Sequence, residues 1–341
     1  MTKHARISAS KIERAYLCPA SVSLEEQYPD SSNEAAERGT WIHKIAETIL
    51  RNEPYPTTIP SKYSQDEVNE MLFFASSYVE FINSIAMSGT MHVEVDLTPM
   101  LSTIHPDFGG TADAVIVHDN RLTVIDLKTG RVPVSAKNNL QLKTYALGAL
   151  MESGQMANIK KIELIIFQGP LGVSYDEITT AELLAWGDEM TVIAYEANDP
   201  FAQAIPGNTQ CKYCKAKQSC PALKEKANMV AKNEFFVPTD EFAGDLDLAE
   251  LVVTWAEAVQ AAAKAKLADG GTIEGWELKP GRKTIKFANK TASEAYLAGN
   301  HLAFEIKSPA ALKKLGIELP EDHLVEERYS PTLSRKKNDL V

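Results

Sequence analysis

Two runs rich in Val and Ile dominate the apolar pattern, Ala112 to Val117 and Leu122 to Leu127, with polar His118-Asp119-Asn120-Arg121 between them. Asp119 and Asn120 both tolerate positive φ, so the pattern predicts a two-residue β-hairpin. Counting back from that turn pairs Val117 with Leu122, Val115 with Val124, and Asp113 with Asp126. Both faces of the pair are apolar over most of their length, which places it inside a layered α/β domain.

The flanking segments read as follows. Ser8 to Cys18 predicts a short helix with Ser10 and Glu13 spaced as a capping box, and Glu34 to Leu50 a longer one. Arg51 to Ser64, with Pro54, Pro56 and Pro60, predicts loop. Gln65 to Met87 returns to helix, its Met71, Leu72, Phe74, Ala75, Tyr78, Val79 and Ile82 forming one core-facing stripe. His92 to Leu97 alternates as a strand. After the hairpin come a helix from about Lys137 to Glu152 and strands at Lys161 to Gln168 and Gly172 to Asp176. A helix capped by Thr179 and Glu182 then runs to Asn198, where Asp199-Pro200 stops it. Phe236 to Asp240 reads as a linker, Asp245 as the cap of a helix from Leu246 to Asp269, and Trp276 to Phe287 as a small hairpin. Two short helices and the tail Arg335-Lys336-Lys337 follow.

This order predicts an α/β fold: a central mixed sheet flanked by helices over residues 1–232, a linker over 233–244, and a smaller α+β region over 245–341. With 341 residues, 44% of them hydrophobic, the chain can bury a full core and a second unit. No apolar run approaches the ~18 residues of a membrane span, and Met1-Thr-Lys-His lacks an apolar segment behind it, so a cytoplasmic protein is expected. The net charge of −11 argues against an indiscriminate nucleic-acid binder. A local basic stripe beside an acidic site is compatible with it.

The hairpin ends in charge. Directly opposed residues have Cβ atoms ~5 Å apart on one face, and at an effective dielectric of about 20 two carboxylates at that distance repel by roughly 3 kcal/mol. Lys128 lies on the same face as Asp126. One reading is a buried ion pair; the other is a divalent-cation site in which Lys128 orients or helps deprotonate a water. Gly39, His43 and Glu47 fall on one face of the Glu34 to Leu50 helix, where a histidine is more often a packing or surface residue. Glu94 fits either a solvated strand position or a place near a metal.

Asp113-x12-Asp126-x-Lys128 on a hairpin, preceded by Arg38-Gly39-x-x-x-His43-x-x-x-Glu47 and followed by Gln141-x-x-x-Tyr145, resembles the PD-(D/E)XK nucleases of the RecB/AddB branch. The resemblance covers roughly the first 230 residues. It implies a restriction-endonuclease-like fold and a metal-dependent deoxyribonuclease, an exonuclease of phage-type or RecB-like recombination or repair, leaving 5′ phosphates. It also implies Mg²⁺ or Mn²⁺ held by His43, Asp113, Asp126 and the Leu127 carbonyl, with Glu94 and Glu47 as further candidates. Lys128 would position the attacking water, and Gln141 and Tyr145 would support the site and contact the strand. The alternative is a DNA-end-binding or assembly protein that keeps the fold without activity.

The four cysteines, Cys18 and the Cys211-x2-Cys214-x5-Cys220 triplet, favour metal over disulfide in a cytosolic chain. Spacing leaves the metal open: Cys18 lacks the second Cys of a zinc knuckle, and the ferredoxin patterns differ. The arrangement is similar to that of the iron–sulfur nucleases, AddB and the CRISPR-associated exonucleases, which implies a [4Fe–4S] cluster, with Zn²⁺ as the alternative. Lys212, Lys215 and Lys217 around the triplet, with Lys224 and Lys226, and Arg282 and Lys283 further on, are the expected phosphate contacts. DNA, an oligomeric partner copy and a single-strand-binding or annealing protein are the expected partners, in a bacterial or phage-infected cytoplasm with no membrane association.

Overall fold

A computed structural model describes residues 5–29, 34–54, 62–86, 89–232, 242–281, 283–287, 296, 308–314, 319–328 and 332–335. Strand β1 (Ile7–Ser8) leads through a 3₁₀ turn into α1 (Ile12–Leu17), which ends at Cys18. The single helix expected from Ser8 is therefore shortened, and the Ser10–Glu13 cap is not made. Ile7 and Ser8 pair in parallel with Phe108 and Gly109, and the Ser10 hydroxyl meets that of Ser8 at 3.1 Å. Helix α2 (Ser21–Glu25) follows.

Helix α3 (Glu34–Leu50) buries Gly39, Ile42, Ile45 and Ala46 along one stripe. Helix α4 (Gln65–Ile85) starts at a capping box, with Ser64 accepting from the Glu67 N–H and the Glu67 carboxylate accepting from the Ser64 N–H at 2.7 Å. Next come β2 (Thr90–Asp96), α5 (Thr98–Leu101), β3 (Phe108–Gly109), β4 (Thr111–Val117) and β5 (Arg121–Leu127). The hairpin has the expected register, Val117 opposite Leu122 and Val115 opposite Val124, closed by the His118 N–H donating to the Arg121 carbonyl at 2.9 Å.

Helix α6 (Leu140–Ser153) starts three residues later than expected. Asn138 has φ 56°, outside the helical region, and the Asn139 side chain accepts from the Leu142 N–H at 3.0 Å, which fixes the first turn there. It is followed by β6 (Lys161–Phe167), β7 (Val173–Thr179) and α7 (Thr180–Asn198), whose Thr179–Glu182 capping box is formed. The strand order is β2-β4-β5-β6-β7, antiparallel except for the parallel β5–β6 pair that α6 connects.

Helices cover both faces. Leu122, Val124 and Leu164 pack with Leu147 of α6 and Trp186 of α7 on one side; Ile116, Ile125 and Phe167 pack with Ile42, Ile45, Met71 and Tyr78 of α3 and α4 on the other. This two-layer burial explains why the strands read as continuous apolar runs. Helices α8 (Asn208–Lys212) and α9 (Pro221–Lys232) carry the cysteine segment, and α10 (Phe242–Ala268) starts before the expected cap at Asp245. The expected linker centre, 236–240, lies outside the described residues.

The chain divides into compact units at Thr254 and Trp255, within α10. In the second unit, β8 (Trp276–Lys279) and β9 (Lys283–Phe287) do not form the expected hairpin with each other. After α11 (Pro309–Lys314), β10 (Leu324–Arg328) pairs antiparallel with β9, and β11 (Thr332–Arg335) pairs antiparallel with β8. Local alternation identifies a strand but not its partner, and here the partners come from the far end of the unit. Among the described residues no helix is long and apolar enough to cross a membrane.

Candidate functional site

The ladder pairs Val93 with Ala114 and Val95 with Ala112, leaving Glu94 beside Asp113, and on the other side it ends at Ala114 and Ile125, one residue short of Asp113 and Asp126. Three acids thus form a row across β2, β4 and β5. The backbone is distorted at this row. Glu94 has φ 49°, a left-handed conformation that costs a non-glycine residue about 1–2 kcal/mol and persists where surrounding contacts impose it. Side-chain alternation also slips there. Ala112 and Val115, an odd number of positions apart, pack in the same core layer, while Met91 and Val95 pack in different ones.

Each acid has its own partners. Asp113 Oδ1 lies 3.1 Å from His43 Nδ1, and its Oδ2 accepts from the Leu127 N–H at 2.7 Å. Asp126, only 3% exposed, accepts from Gln141 Nε2 at 3.1 Å through Oδ1, while Lys128 Nζ lies 2.8 Å from Oδ2. Lys128 is thus the partner of Oδ2, an ion pair made at the end of a buried carboxylate. Gln141 also accepts from Lys128 Nζ at 2.9 Å and reaches the Tyr145 hydroxyl at 3.0 Å. Gln141 and Tyr145, four residues apart on α6, therefore form one polar chain with Asp126 and Lys128.

The electrostatics reflect crowding. Burial, reinforced by the charge of Asp113, pushes Glu94 up to about 7. Burial also raises Asp126, and with Asp113 adding to it against the opposing pull of Lys128 the carboxyl stands at about 6. Burial disfavours a charged His43, but the hydrogen bond and charge of Asp113, with Asp126 and Glu94 behind it, outweigh that and raise its pKa. Burial and the charge of Asp126 raise the Tyr145 phenol.

His43, Glu94 and Asp113 offer ligand atoms that all lie within 4.8 Å of one another, and among the described residues they are the group so gathered. An imidazole nitrogen and hard carboxylate oxygens suit Mn²⁺ or Mg²⁺. Asp126 stands outside that trio, tied to α6. Leu127 lies between the two, its N–H given to Asp113. Glu47 pairs with Lys44 at 2.9 Å and Arg51 at 3.3 Å, and it borders the same cleft as Glu94 and Tyr145. Sequence spacing does not reveal that Glu94 faces Asp113, because that depends on the β2–β4 register. The motif resemblance implies that Gly39 lets its helix approach the sheet, and a Cβ there would stand 2.7 Å from Thr129 Oγ1, just past the end of β5.

All four cysteines are buried and border one small cavity. The Cys18 sulfur accepts from the Ile205 N–H at 3.3 Å and the Cys211 sulfur from the Gly207 N–H at 3.5 Å. Burial raises the thiols of Cys18 and Cys211, and that of Cys214 to about 11. The Arg14–Glu25 ion pair adjoins them, and Glu25 also accepts from the Lys215 N–H at 2.9 Å. Lys212 is exposed beside the Tyr213 ring, and Lys217 Nζ donates to the Lys212 carbonyl at 2.8 Å. Arg282, Lys336 and Lys337 lie outside the described residues; Lys283 opens β9.

Residues 4–323 match the family described as "Protein of unknown function (DUF2800)", and the chain belongs to that family. It is also similar to the Gene 69 protein of Mycobacterium phage D29, 31% identical over 120 residues, which are 34% of this chain and 43% of that protein. The solved structure described as "Crystal structure of SSO0001" aligns over 60% of this chain and 95% of its own at 15% identity and a TM-score of 0.25, a likeness too slight to bear on the fold.

Proposed function

We propose that the chain is a divalent-cation-dependent deoxyribonuclease of restriction-endonuclease-like fold, acting as an exonuclease in phage-type or RecB-like recombination or repair. The observation that carries this reading is the row Glu94, Asp113, Asp126 with His43 and Lys128 at its two sides. It gathers three carboxyl groups that Lys128 and His43 meet only from its two sides, and burial with mutual repulsion drives Glu94 and Asp126 toward protonation. His43, Glu94 and Asp113 would hold the cation, and Asp126 and the Leu127 carbonyl border it. A divalent cation there would supply Lewis-acid stabilisation of charge on the scissile phosphate. Lys128, fixed between Asp126 and Gln141, presents its ammonium N–H to the attacking water and orients it. Gln141 and Tyr145 hold the Asp126 carboxylate in place, so that few groups need to reorganise as charge develops. Hydrolysis leaves a 5′ phosphate.

The cysteine corner takes a [4Fe–4S] cluster in this reading. All four cysteines border one small cavity, and Cys18 joins it from the far end of the domain.

Protein purified without oxygen should be brown, and with Mg²⁺ or Mn²⁺ it should shorten end-labelled linear DNA while leaving closed circles intact. Colourless active protein would remove the cluster. Brown protein inert on every linear substrate would remove the nuclease.

A further inference from the structure

Beside the acid row lies a cleft that the chemistry above does not use. Its floor is the aromatic edge of α4 with Phe167, its far wall the Gly169-Pro170-Leu171 turn, and its near wall Thr129 to Arg131, the residues directly following Lys128. Its volume is about 630 Å³. Phe73 is 75% exposed at its mouth and Leu171 48% exposed.

The walls are held rather than loose. Gln168, 3% exposed, spends its whole amide on the 130–134 segment. Its Nε2 donates to the carbonyls of Gly130 at 2.9 Å and Val132 at 2.7 Å, and its Oε1 accepts from the Val134 N–H at 2.9 Å. Gly169, at φ 53°, would bring a Cβ within 2.6 Å of the Phe74 ring, so the far wall depends on a residue without one. The charges are sorted as well. Arg38 and Glu70 pair with each other at 2.9 Å. Arg131, exposed on the pinned segment, is the remaining charge on the lining and is positive.

We propose that this cleft binds one or two unstacked bases of single-stranded DNA, with a base stacked on Phe73 and the adjoining phosphate on Arg131, while the neighbouring phosphodiester reaches Lys128. The inference rests on the nuclease reading and names its substrate class. An aromatic face beside a cation is the pairing that holds unpaired strands without sequence preference, whereas a duplex keeps its base faces stacked and cannot offer them.

The test uses the full-length protein in EDTA, which separates binding from cutting, with three labelled probes: a single-stranded oligonucleotide carrying 2-aminopurine, an abasic strand of equal length, and a blunt duplex. The wild type should bind the first most tightly and alter its fluorescence. Phe73→Ala should weaken that binding about tenfold without changing the melting temperature, Phe73→Trp should restore it, and Arg131→Ala should weaken normal and abasic strands alike. Equal binding of normal and abasic strands by the wild type, undiminished binding by Phe73→Ala, or no binding of any probe would overturn the cleft even if linear DNA is cut with Mg²⁺. Phe73-dependent binding without any cutting would retain the cleft and overturn the nuclease.

Discussion

The acid row and the cysteine corner both set polar groups wholly or partly out of water, and they bear on stability in opposite ways. In the row, burial works against the groups it holds: Glu94 and Asp126 are driven toward protonation, and Glu94 takes a left-handed backbone. At the corner, the sulfurs close a small cavity between α1 and α8 and accept backbone N–H groups. A cluster there joins positions almost two hundred residues apart. A site arranged for chemistry is paid for by the surrounding core, while a site arranged as a tie repays the fold. The two regions should therefore separate under mutation.

The largest difference should come from Asp126→Ala and Lys128→Ala. Each should lower cutting by at least about 10²–10³-fold, the scale for removing one preorganised charge-stabilising group; Asp126→Ala should leave the melting temperature unchanged or raised, and Lys128→Ala, which strips the cation from buried Asp126, should lower it only modestly. An accompanying fall in melting temperature as large as that of a cysteine variant would erase the contrast.

Cys18→Ala should do the converse. Closing a loop of this length contributes about 4–5 kcal/mol in the chain-entropy model, comparable with the whole stability of many domains. Colourless protein of lowered melting temperature, whose residual activity follows its folded fraction, is the expected result. Iron content and melting temperature equal to wild type would show that Cys18 is not a ligand.

Much of this layout is legible in the chain. The hairpin register follows from one turn and two apolar runs and holds from Val117 and Leu122 to Ala114 and Ile125, next to Asp113 and Asp126; the helices follow from their stripes and from caps at Ser64 and Thr179. What the chain does not show is long-range pairing. Glu94 joins the row only through the β2–β4 ladder, β8 and β9 take partners from the end of the chain, and the backbone pairing of Ile7 and Ser8 displaces a helix start that local spacing favours. The close approach of α3 to the sheet at Gly39 is, by contrast, implied by the motif resemblance, and it yields a smaller test. Gly39→Ala should destabilise by about 1–3 kcal/mol, the range for overpacking, and lower cutting by displacing His43. Adding Thr129→Ala, which removes the hydroxyl that the new methyl meets, should restore most of both; no recovery would mean that glycine serves another purpose there.

The smallest effect is on pH dependence. Glu94 is raised from 4.5 to about 7 and Asp126 from 3.8 to about 6, so between about pH 4 and 7 the folded state binds more protons than the unfolded one. Their contribution is lost as pH rises through that window. His43, raised above 6.5 by Asp113, contributes with the same sign, its part fully present below 6.5 and lost as pH rises through its folded value. In EDTA the melting temperature should fall from pH 5 to pH 8, and Glu94→Gln should flatten the fall. A Glu94→Gln profile parallel to wild type would show that the row is relieved by solvent.

The most direct test of the central claim is Mn²⁺ binding to EDTA-treated protein, followed by electron paramagnetic resonance and calorimetry at pH 8 without DNA. Wild type should take up Mn²⁺ at a site that Asp113→Asn abolishes and Glu94→Gln weakens at least tenfold, while Cys18→Ala protein that remains folded retains it. Mn²⁺ binding unchanged by both Asp113→Asn and Glu94→Gln would contradict the account, since the acid row would then hold no cation.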